Sequence, residues 1–128
     1  MPHIYLNVLS LQRQASKGDG SCVTLVRELT TLKNRHTSSW RQGASVVESG
    51  DLIPGTAIAT FVNGRWPGLT KGNHAAFYLR HDGDRIFIMD QYDGKTIISS
   101  RPIERLGKNK DGTYPRTSDN ADAFFVIE

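Results

Sequence analysis

A single thiol, Cys22, is all the cysteine in this 128-residue chain. One thiol cannot close an internal disulfide, so the fold is not a disulfide framework. Long apolar runs are also missing, and no segment is fit to span a bilayer. The opening MPHIYLNVLSLQRQ has no basic lead, no long apolar centre and no small-residue cleavage site. It predicts no secretory signal, and a protein kept in the cytoplasm unless a dedicated machine exports it. Internal repeats and low-complexity blocks are absent. No Cys or His stands at ligand spacing from Cys22, and no two histidines share an i, i+4 helix face, so no metal and no cofactor are expected. A phosphate-cradling glycine loop and a G-x-S-x-G elbow are missing as well. Phe77, Tyr78, Phe87 and Tyr92 lack the interleaved basic residues of a nucleic-acid face. The formal charge of +3 is mild and selects no partner.

What is present reads as one domain over 1–128. Residues 3–12 are an irregular lead-in or short strand, and 17–20 form a loop. Ser21 is a good helix cap. Cys22, Leu25, Val26, Leu29 and Leu32 then follow the i, i+3, i+4 spacing of one helix face, which predicts a helix over 22–33. Residues 38–48 suit a short helix or a structured loop around Trp40. Strands are expected over 56–62, 74–80, 85–92, 96–99 and 123–127, separated by Asn63-Gly64, by HDGD, by Asp93-Gly94 and by a polar loop at 104–120. One helix followed by an antiparallel meander is an α+β arrangement.

The stretch GDGSCV raises the chemical question. A thiol attacks as its thiolate, and the free N–H groups at a helix start favour that anion. Cys22 falls at that position. Its backbone N–H, with those of neighbours such as Ser21, can face a developing oxyanion. Alternatively Cys22 packs on the apolar helix face, as free cysteines commonly do. A nucleophile needs a base. His3, His36 and His81 fall in exposed terminal, loop and turn positions, whereas His74 opens an apolar strand that holds its ring. The base needs an orienting group. A three-residue loop over 81–83 sets His74 opposite Asp90, and a two-residue Asp82-Gly83 loop sets it opposite Gln91. Asp90 is the stronger orienter, because a carboxylate also stabilises imidazolium, and Gln91 is the alternative. Trp66 is a candidate groove residue. Trp40 is either groove or core. Arg101, Arg105, Lys108 and Lys110 form a basic cluster that either meets an anionic surface or is solvated.

Helix-borne Cys, strand-borne His and a polar partner on the next strand follow the order of papain-like enzymes. The pieces GDGSCVTLVREL, LIPGTAIATF, GNHAAFYL and IFIMDQY resemble the NlpC/P60 and CHAP branch of small bacterial amidases. SSWRQGASV with PGTAIATFVNGRWP resembles more narrowly the small amidases tied to type VI secretion. The resemblance covers about residues 18–100. It implies a papain-like fold, with the nucleophile-bearing helix packed on the meander, and hydrolysis of peptide bonds in peptidoglycan. Carried onto this chain, it makes Cys22 the nucleophile, His74 the base and acid, and Asp90 or Gln91 the orienter. Trp66, Trp40 and Asn73 fall to the substrate groove. It further implies export as an antibacterial toxin and an immunity protein that occludes the cleft, with no nucleic-acid or membrane partner. A non-catalytic binding module and a thiol acyltransferase or deamidase are the competing readings on the same scaffold.

Overall fold

In the computed structural model, which describes residues 1–128, a six-stranded antiparallel sheet carries the site. Its strands are β1 (Gln42–Ser45), β2 (Ala57–Thr60), β3 (Ala75–Asp82), β4 (Arg85–Asp90), β5 (Ser99–Glu104) and β6 (Phe124–Ile127). The spatial order is β1-β6-β2-β3-β4-β5. The expected meander is therefore β2 to β5. The closing strand β6 does not add to its end but inserts between β1 and β2.

Both sheet faces are covered, which explains why β2 is buried throughout rather than alternating. Ala75, Phe77 and Leu79 of β3 pack with Leu25 and Val26 of the helix α1 (Cys22–Glu28) and with Trp40. Ala76 and Tyr78 point the other way, onto Ile58, Ile86, Ile88 and Phe124.

Three local expectations are corrected. The helix does not reach residue 33. The Thr30 hydroxyl bonds back to the Val26 carbonyl at 2.7 Å and accepts the Leu32 N–H at 3.1 Å. This side chain competes with the helical ladder and starts a separate 3₁₀ turn over Thr31–Asn34. The segment around Trp40 forms a 3₁₀ turn over Thr37–Ser39 and then β1, because an edge of β6 is there to pair with. The β3–β4 register matches neither hairpin considered above. Asp82 pairs with Arg85 across a Gly83-Asp84 loop, and the register slips by one residue between Tyr78 and Arg80. Such a bulge re-aims everything beyond it. Below it, Phe77 pairs with Met89. Continuing that register places His74 opposite Tyr92, with Asp90 on its diagonal and on the same face.

Candidate active site

The loop before Cys22 is tied down by its own side chains. Asp19 Oδ1 accepts the Ser21 N–H at 2.9 Å and the Thr24 hydroxyl at 2.7 Å. Ser21 Oγ accepts the Thr24 N–H at 3.2 Å and so caps α1. The Ser21 N–H bond, followed by the Thr24 bond, holds the Asp19 carboxyl below its ordinary range. Gly18 has a φ of +55°, and a Cβ there would lie 2.6 Å from Thr24 Cγ2. Its role is therefore to let the loop close on the helix. Gly20, with a φ of +83°, faces open space.

His74 arrives from the other side of the cleft, just before β3. Its backbone is locked to β2, donating its N–H to Thr60 Oγ1 at 3.0 Å and accepting the Thr60 N–H at 3.0 Å. The ring is buried, with Nε2 2.8 Å from Asp90 Oδ2. Asp90 is wholly buried and serves three cationic partners. Arg101 Nε reaches the same Oδ2 at 2.8 Å, and Lys95 Nζ reaches Oδ1 at 2.7 Å. Burial opposes ionisation of Asp90, but the His74 hydrogen bond and charge, then Arg101 and Lys95, hold its carboxyl well below the usual carboxylate range. Burial likewise opposes protonation of His74. The Asp90 hydrogen bond and the adjacent Cys22 sulfur overcome it, and His74 is pushed up to about 9. With Nε2 given to Asp90, Nδ1 is the nitrogen left for proton transfer.

Cys22 and His74 both line a cavity of about 680 Å³, together with Ser21, Trp66, Asn73 and Tyr92. The contact to His74 falls to Asp90. Gln91 points to the other side of β4 and binds the 17–21 loop. Trp66 stands on the cavity wall. Trp40 does not: it is fully buried, edge-on behind Trp66 with ring centroids 5.2 Å apart. Its place in the substrate groove is corrected to core. The Asn73 side chain closes its own loop, accepting the Leu69 N–H at 2.6 Å and donating to the Leu69 carbonyl at 3.2 Å. His3 is buried against Thr31 rather than exposed, and His81 lies in β3 bonded to the Tyr78 hydroxyl.

Lys95, Tyr92, Arg101 and Asp119 were missed. Arg101 had a signal: alternation on β5 puts it on the face of Asp90, one step diagonal from the Asp90–Ser99 pair. Reading it within a basic cluster hid that position. Two of its four members are paired within the chain, Arg101 on Asp119 and Arg105 on Asp122 at 2.8 Å each.

A thiol from a helix start and a His–Asp pair from a sheet, converging on one cleft, define the papain-like α+β class. A family model described as domesticated amidase effector 2 matches residues 8–127. The chain is 41% identical to the type VI secretion amidase effector 2 protein of Salmonella typhi, over 100% of both chains. It is 35% identical to domesticated amidase effector 2 of Ixodes scapularis, over 84% of this chain and 70% of that protein. A solved structure of type 6 secretion amidase effector 2 (Tae2) matches with a TM-score of 0.89 at 40% identity, covering 98% of this chain and 93% of the other. The chain belongs to the amidase effector 2 family, and the fold and amidase effector activity implied by the sequence resemblance hold.

Proposed function

We propose that residues 1–128 act as a single cysteine amidase domain that hydrolyses peptide-stem or cross-link amides of bacterial peptidoglycan, delivered into a rival cell by type VI secretion. The observation that carries this reading is a buried histidine whose Nε2 lies 2.8 Å from a buried aspartate, in the cavity that Cys22 also lines. An amide carbonyl entering the cleft meets Cys22, whose thiol proton passes to His74 Nδ1 as the sulfur attacks. A C–S bond forms, and the carbonyl π electrons move to oxygen, which the Cys22 N–H receives. Collapse restores the carbonyl and breaks the C–N bond, while His74 Nδ1 gives its proton to the departing amine. His74 then takes a proton from water, whose oxygen attacks the thioester. The second collapse releases the carboxylate product and returns the sulfur. Throughout, the His74 Nε2–H donates to Asp90, which keeps one tautomer and one ring orientation. Trp66 and Tyr92 supply aromatic walls for the stem peptide. In the producing cell, an immunity protein that fills this cavity neutralises the enzyme.

The test is digestion of purified peptidoglycan by the wild type and by Cys22→Ala, followed by muropeptide separation. Wild type is expected to convert cross-linked or full-stem muropeptides, and Cys22→Ala to lose at least about 10³-fold in rate. Cleavage by the variant at the wild-type rate would remove the thiol from the mechanism. Expression directed to the periplasm of a Gram-negative host is expected to lyse cells, while cytoplasmic expression does not.

A further inference from the structure

Gln91 is fully buried, yet it takes no part in the His74–Asp90 contact. All of its side-chain hydrogen bonds go to the backbone of the loop that ends at Cys22. Oε1 accepts the Lys17 N–H at 2.7 Å, and Nε2 donates to the Lys17 carbonyl at 2.9 Å and to the Ser21 carbonyl at 2.8 Å. Both amide hydrogens and the amide oxygen are thereby engaged. A buried carboxamide so fully matched to main-chain groups fixes their position, because each bond lost would leave a buried polar atom unpaired.

The Ser21 carbonyl and the Cys22 N–H are the two ends of one peptide unit. That unit is trans, so its C=O and N–H point in opposite directions. Holding the Ser21 oxygen on Gln91 therefore sets the direction of the Cys22 N–H and the entry angle of the helix that carries the sulfur. Neighbouring residues on an extended chain project to opposite faces. At the end of β4, Asp90 turns to His74 and Gln91 turns to the Cys22 loop.

We propose that Gln91 is a positioning residue for the nucleophile, as Asp90 is for the base, so that one dipeptide aligns both halves of the cleft. The proposal rests on Cys22 being the nucleophile. Cys22 is the only thiol in the chain, so its alkylation by iodoacetamide is an unambiguous reporter that needs no peptidoglycan.

The test compares Gln91→Met, which removes every hydrogen bond, and Gln91→Glu, which keeps the acceptor for Lys17 but loses the donors to both carbonyls. Alkylation rate against pH, kcat and KM on purified peptidoglycan, and urea unfolding are measured for each. Ile103→Val, in the core on the opposite sheet face, is the control for lowered stability alone. Under conditions where every variant is folded, both Gln91 variants are expected to alkylate about tenfold more slowly at pH 7, with a displaced pH profile. Their kcat is expected to fall by about 10- to 100-fold with KM little changed, as a misplaced reacting group would dictate. The control should keep the wild-type profile. A folded Gln91→Glu or Gln91→Met with the wild-type alkylation profile and kcat would overturn the proposal. If the wild type itself releases no muropeptides, the amidase reading falls, while the alkylation profiles still decide whether Gln91 sets the geometry of Cys22.

Discussion

Asp90 is the residue on which most of the site's charge converges. One of its oxygens is shared by His74 and Arg101, and the other is held by Lys95. A buried carboxylate costs several kcal/mol in lost hydration, and only close partners of opposite charge offset that. Removing the carboxylate leaves three buried or half-buried donors facing a neutral group. Asp90→Asn is therefore expected to lower unfolding free energy by about 3 kcal/mol, read by urea titration. It should also abolish muropeptide release, because nothing then holds the His74 ring. A variant as stable as wild type would contradict the cation convergence. At this scale much of the candidate site was legible. Cys22 after a cap and His74 at a strand start were identifiable from their neighbours. Lys95 was not, because it meets Asp90 from a turn outside any strand pattern, and Arg101 carried only the signal of alternation on β5. Gln91 was noticed as a polar residue after an apolar run, but its partners lie about seventy positions away in the chain.

The elements show what holds the loop before Cys22 in place despite its glycines. Asp19, Ser21 and Thr24 close it from within. Gly18 makes the closure possible, and its replacement has a double cost. Gly18→Ala is expected to destabilise by about 2 kcal/mol, part from a left-handed backbone and part from the clash with Thr24 Cγ2. Thr24→Ser removes that methyl and keeps the hydroxyl. The double variant should recover the clash component, a coupling of about 1 kcal/mol in a double-mutant cycle. Additive effects would remove the packing account of Gly18. Element identities were largely readable: the helix start, the Asn63-Gly64 turn and the strands β2, β3, β4 and β6 stand where their patterns place them, whereas the strand expected over 96–99 is displaced to Ser99–Glu104. Element ends were less so. Thr30 cut the helix short through a side-chain bond that periodicity does not register. β1 depended on an edge supplied by β6, more than eighty residues later.

Across the whole molecule, the site couples fold stability to pH in both directions. His74 in the fold titrates near 9, above its ordinary 6.5. A raised value means that its stabilising contribution is complete below about pH 6.5 and is lost as pH climbs through 9. Asp90 is lowered from 3.8, so its contribution is present above that value and is lost as pH falls towards the folded-state titration. Thermal melts are expected to show greatest stability at about pH 5 to 6.5, with a decline towards pH 9.5. His74→Gln should flatten the alkaline decline and also shrink the acid one, because His74 is the foremost cause of the lowered Asp90 titration and only Arg101 and Lys95 then remain. An alkaline limb unchanged in His74→Gln would assign it to another group.

The sequence by itself determined what is set within a few residues: the capped helix start behind Cys22, the glycine-bearing loop, the alternating strands and the inventory of thiol, imidazole and carboxylate. These depend on backbone conformation and on hydrogen bonds between near neighbours, so a local pattern carries them. Only the tertiary structure decided which polar side chain reaches His74. The hairpin loop lies one residue further along than either loop considered, and a bulge between Tyr78 and Arg80 moves the register again. Asp90 meets the histidine diagonally rather than across a pair. Trp40 went to the core and Gln91 to the loop before Cys22 for the same reason. Each position is fixed by strands and loops that meet only when distant parts of the chain pack, and no short-range pattern records those meetings.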